Sequence, residues 1–137
     1  MTTPLASLLA FAMWTLSLVL VGVGYPRVSA VLAGRAKPGD FKADEPHGGE
    51  TYRRTIRAHL NCVENLPVFA SVVLVGHAAG HASRAFDALA VTYVAARVGQ
   101  SLAHVASGRH RVVLVRFSFF TVQVIAVIGM AVLIAVA

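Results

Sequence analysis

Arg57-Ala58-His59-Leu60-Asn61-Cys62-Val63-Glu64-Asn65-Leu66-Pro67 opens a long apolar run, yet it carries Arg57, Asn61 and Glu64. On a helix at about 100° per residue these three fall within an arc of about 60°. They form one polar stripe where the flanking sequence reads as membrane. Polar and charged groups in such a segment are costly, and by default they mark a functional site. The rest of the chain is read as the scaffold that carries this stripe.

The chain has 137 residues, enough for a single domain spanning residues 1–137. Hydrophobic residues make up 57% and charged residues 13%, against roughly 25% charged in ordinary soluble domains. A soluble protein of this size has too much surface to hide that much apolar side chain. The apolar residues are also gathered into long runs, the pattern of a multi-pass membrane protein. A net charge of +6 would suggest nucleic acid in a soluble protein. Here the basic residues sit at the ends of apolar runs and form no stripe interleaved with aromatics, so a nucleic-acid partner is not expected. The single cysteine, Cys62, excludes an intrachain disulfide and argues against a cysteine metal site. We read it as a small filler on the second helix.

Four helical segments are expected, at about 5–33, 51–80, 84–107 and 112–137. The first has no charge before Arg27 and more than spans a hydrocarbon core of roughly 30 Å. It lacks the basic start of a secretory signal and is read as retained. Gly22, Gly24 and Pro26 predict a kink or early unwinding near its end. Residues 34–50 form an aqueous loop with Arg35, Lys37, Asp40, Lys42, Asp44 and Glu45, broken by Pro38, Pro46 and Gly48-Gly49. Pro67 lies inside the second segment, where neighbouring helices can make good the lost hydrogen bond. Short connections between segments two and three and between three and four make those neighbours antiparallel. The fold class is therefore all-α, an integral membrane four-helix bundle running up-down-up-down.

Orientation follows from the basic residues. Arg35, Lys37, Lys42, Arg53 and Arg54 flank the first connection, and Arg109 and Arg111 flank the third. The opposite side offers Arg84 and no lysine. The positive-inside rule places both basic loops in the cytoplasm and both termini on the far side. Tyr93, Arg97, Gln100, Ser101 and His104 recur at helical spacing on the third segment, and Arg116, Phe120 and Gln123 on the fourth. Polar groups from all four segments, including Arg27 and Arg35, then meet at one depth. Glu64 is the one acid there, and Arg57 or Arg97 is expected to pair with it. The remaining arginines make a cationic cavity suited to a carboxylate ligand or a developing anion.

Arg57-Ala58-x-x-Asn61-x-x-Glu64-x-x-Pro67 resembles the second-helix signature of the MAPEG family, the membrane-associated proteins in eicosanoid and glutathione metabolism. The four-helix layout, chain length and basic first loop agree over nearly the whole chain. The resemblance implies a homotrimer in the lipid bilayer that binds glutathione between subunits on the cytoplasmic side. It implies a glutathione transferase, with peroxidase activity as an extension, acting on a lipophilic second substrate. Carried over by position, Arg35, Arg57, Asn61, Glu64, Arg97, Gln100 and His104 would bind glutathione. Arg116, and after it Arg111 and Arg109, would stabilise its thiolate. Asn65, His104 and Phe120 depart from family positions that often carry tyrosine, which argues against a specialised eicosanoid synthase.

The alternative is a non-catalytic membrane protein whose polar cluster pins the oligomer or binds anionic lipid. His77 and His81 are four apart but have no evident third ligand, so no metal is expected. The Phe117-Ser118-Phe119-Phe120 cluster is read as lipid-facing rather than as the wall of a substrate cleft.

Overall fold

The protein is seen in a computed structural model that describes residues 1–42 and 48–136. Asp44, Glu45 and Pro46 of the first loop, and Ala137, lie outside the described residues. All the regular elements described are helical. They are α1 (Thr3–Leu32), α2 (Glu50–Ala78), α3 (Arg84–Ala106) and α4 (His110–Ala135), with a single 3-10 turn at Pro38–Asp40.

By length and composition α1, α2 and α4 can cross a membrane. The sequence reading expected four such helices. α3 falls out of the count because its hydropathy is diluted by side chains that it turns inward. Arg97, Gln100 and Ser101 are all buried in the bundle. The outer faces are apolar, with Leu20, Leu60, Leu74, Val91, Phe117 and Ile125 all largely exposed, as expected where lipid is the solvent.

Near Pro26, where a kink or unwinding was expected, α1 changes its hydrogen-bond pattern. It widens into a π turn over Leu20–Gly24, in which the Tyr25 N–H reaches back to the Leu20 carbonyl, and the helix then continues. A proline ring clashes with the carbonyl four residues back and offers no N–H in return. The five-residue turn just before Pro26 takes up that misfit. Gly22 lies in the turn, and a Cβ there would collide with the Thr55 methyl of α2. The two helices approach closely at that level.

The core lies between α1, α2 and α3. Phe69 stacks on Tyr93 with ring centroids 4.2 Å apart, and Phe11 packs against both at a tilt. Offset and tilted aromatic contacts of this kind add to simple burial. α3 and α4 form the most extensive helix pair. Gly99 permits it, since a Cβ there would stand 2.7 Å from the Phe119 ring. α2 ends where Gly80 takes a φ of 69°, a conformation that glycine adopts without cost. α3 starts on Ser83, whose hydroxyl accepts the Phe86 N–H at 3.2 Å.

Candidate functional site

Arg97 sits at the centre. It is completely buried, with its guanidinium carbon 5.7 Å from the Phe11 ring and 6.0 Å from the Tyr93 ring. A cation over two aromatic faces recovers part of its lost hydration. Its Nη1 donates to Asn61 Oδ1 of α2 and, at 2.9 Å, to Gln100 Oε1 of its own helix. Nε and Nη2 are buried with no partner among the described residues.

The network continues into α4. Gln123, buried, donates from Nε2 to Gln100 Oε1 at 3.2 Å and to the Phe119 carbonyl at 3.0 Å. Gln100 Nε2 donates at 3.2 Å to the Arg116 backbone carbonyl. Three helices are thereby joined by amides and one guanidinium. On the other side of Arg97, Ser101 donates to the Arg97 carbonyl at 2.9 Å and touches Cys62 Sγ at 3.3 Å.

Above this network lies an open cleft of about 310 Å³, lined by Asn61, Gln100, His104, Val113, Arg116, Phe117 and Phe120. It joins polar residues from α2, α3 and α4 with an apolar wall from α4. Phe117 and Phe120 were expected to face lipid alone. They are exposed, yet they also form that wall. The reason is their spacing from Arg116, which puts all three on adjoining strips of one helix face.

This is the region of residues 4–136 that the sequence model of the MAPEG family matches. The chain belongs to the MAPEG family. No curated protein matches it. Membership and the apolar helices together make it a multi-pass integral membrane protein.

The residues carried over from the MAPEG pattern divide into three sets. Asn61, Gln100, His104 and Arg116 are brought together at the cleft. Arg97 stands behind them and does not line it. Arg57 and Glu64 are exposed on α2 and do not line the cleft. Glu64 makes no ion pair with Arg57 or Arg97 among the described residues, contrary to expectation. Arg97 is held inward by Asn61 and Gln100, while Glu64 is exposed. Arg35, in the turn after α1, and Arg109 and Arg111, at the start of α4, are exposed and do not line the cleft.

Three residues do more than the sequence reading assigned to them. Arg54 was counted only as an orienting charge. Its Nε donates to the Val105 carbonyl at 3.0 Å and its Nη1 pairs with Glu50 at 3.0 Å, which ties the start of α2 to the end of α3 beside His104. Gln123 was placed on the Arg116 face, and that seven-residue spacing was the available signal for its place in the network. Arg27 likewise bridges α1 to α2, through the Tyr52 hydroxyl.

A larger cleft, about 410 Å³, lies at the other end of the bundle among His77, His81, Arg84 and Asp87. Its ionisable side chains are at least partly exposed and gather into no metal-binding group among the described residues. The Asn61–Arg116 cleft, backed by a buried cation, is the better candidate.

Proposed function

We propose that this protein is a membrane-embedded glutathione transferase of the MAPEG family. The observation that carries this reading is the convergence of Asn61, Gln100, His104 and Arg116 on one cleft, with the unpaired Arg97 guanidinium buried behind it. A site so rich in positive charge and N–H donors, in low dielectric, favours an anion over its conjugate acid. Glutathione brings two carboxylates and an ionisable thiol.

In this reading all four helices cross the bilayer, up-down-up-down, with the basic loops and the cleft on the cytoplasmic side and the termini opposite. Three copies assemble, and the exposed Arg57 and Glu64 complete the site from α2. Arg57 and Arg35 hold the glutathione carboxylates, and Asn61 and Glu64 its other polar groups. Arg116 faces the sulfur and lowers the thiol pKa from an ordinary ~8.5; Arg111 and Arg109 are the next candidates. The thiolate then attacks an electrophilic carbon of a lipophilic substrate reached from the bilayer past Phe117 and Phe120. A carbon–sulfur bond forms and the leaving group departs with the bonding pair. The same thiolate would reduce a lipid hydroperoxide, a second glutathione completing the disulfide.

The test is glutathione binding, by thermal shift in detergent, and conjugation of a lipophilic aryl halide. Wild type is compared with Arg116→Ala, Arg57→Ala and Glu64→Ala. The reading expects a shift with glutathione and loss of turnover in Arg116→Ala. A purely structural role for the cluster expects impaired assembly and no thiol chemistry in any form of the protein. Absence of binding at millimolar glutathione ends the proposal.

A further inference from the structure

We infer that Arg97 is a positioning residue that fixes which end of the Asn61 amide is left for a ligand, so that the cleft offers N–H donors and selects an anionic group. A guanidinium has five donors and no acceptor. Whatever Arg97 Nη1 touches on Asn61 and Gln100 must therefore be oxygen, and both of its hydrogens are used on those two amides. Gln123 Nε2 adds a second donor to the Gln100 oxygen.

The nitrogen ends follow. Gln100 Nε2 is committed to the Arg116 carbonyl, where it steadies the α4 turn that carries the Arg116 side chain. Asn61 Nδ2 is left as the polar atom that Asn61 offers to the cleft it lines. With the Arg116 guanidinium opposite, the amide and guanidinium groups facing a ligand are donors. Without Arg97 the Asn61 amide could turn over and present a carbonyl oxygen that repels an anion, whereas Gln100 stays held by Gln123 and the Arg116 carbonyl. Arg97 itself, fully buried, touches no ligand. It acts through Asn61.

Two arms test this, and only the second rests on the glutathione reading. The first is a double-mutant cycle read by thermal unfolding, without ligand. If Arg97 holds an oxygen of Asn61, a carboxylate in that place gains a charged partner. Asn61→Asp then raises Tm by several degrees, and the rise vanishes in an Arg97→Met background. An equal fall in Tm from Asn61→Asp in both backgrounds overturns the inference. The second arm follows conjugation against pH at saturating glutathione. Arg97→Met, which keeps similar side-chain volume, raises the apparent pKa of the bound thiol by about one unit, equivalent to tenfold less thiolate well below that pKa. Arg97→Lys, also donor-only, restores part of it. A folded Arg97→Met protein with an unshifted pH profile shows Arg97 to be merely structural. If wild type binds no glutathione, the proposed function fails while the first arm still decides the role of Arg97.

Discussion

Replacing Gly22 by alanine tests the close approach of α1 and α2 by adding one methyl group. The new Cβ would collide with Thr55 Cγ2. Thr55 cannot rotate away freely, because its hydroxyl donates to the Thr51 carbonyl at 2.9 Å and the side chain is buried. Overpacking of this kind costs about 1–3 kcal/mol. Against it stands the gain from removing a helix-interior glycine, about 0.8–1 kcal/mol. Gly22→Ala should therefore be destabilising by up to about 2 kcal/mol. Thr55→Ser deletes the offending methyl and keeps the hydroxyl bond. In that background the clash is gone, only the propensity gain remains, and Gly22→Ala becomes stabilising by up to about 1 kcal/mol. The sign change is the prediction. The assay is unfolding in detergent by denaturant titration for wild type, both single variants and the double variant, closed as a cycle. A coupling below about 0.5 kcal/mol would mean that the two sites behave independently, and would refute the account of why glycine occupies the π turn.

Arg116→Ala should lower conjugation at neutral pH at least tenfold and lose less at alkaline pH, where the thiol ionises unaided; a pH profile of turnover decides it. Arg54→Ala removes a charged hydrogen bond to the Val105 carbonyl and should destabilise by about 1–3 kcal/mol. Glu50→Ala, removing only an exposed partner of the same arginine, should cost under about 1 kcal/mol by the same unfolding assay. Gln123→Leu gives up weak bonds but also removes an acceptor buried without a partner, so its stability should stay within about 1 kcal/mol of wild type.

The helical architecture and the family were legible because their signals are local. Long apolar runs, glycine and proline at the loops, and the Arg57–Pro67 stripe are all properties of contiguous sequence. Asn61, Gln100, His104 and Arg116 were nominated by helical spacing, and their meeting at one cleft follows from all four lying near the same ends of α2, α3 and α4. What spacing could not resolve is rotation about each helix axis. A stripe 60° wide on α2 spans both an inward and an outward direction. Asn61 falls on the inner side and takes the Arg97 bond; Arg57 and Glu64 stay exposed. The expected pairing of Glu64 with Arg97 failed for that reason. Hydrogen bonds to backbone, such as Arg54 to Val105 or Gln100 to Arg116, left no trace in the sequence, because a carbonyl is present at every residue.

A buried arginine with no carboxylate partner among the described residues is an unusual way to hold three helices together. Breaking a buried ion pair by removing one partner costs about 3–5 kcal/mol, yet Arg97 lives in that condition, supported by two amide oxygens and two aromatic faces. Supplying a carboxylate from the same chain would have been a short step: Asp at position 61 or Glu at position 100 would do it. Either change would also cancel the positive potential that reaches the cleft through Asn61 and Gln100. Neutral amides pass the polarity of the guanidinium outward, whereas a carboxylate would neutralise it. The cation without a carboxylate among the described residues and the donor-lined cleft are thus one arrangement, and on the proposed function the stability it forgoes is what would let the site take an anion.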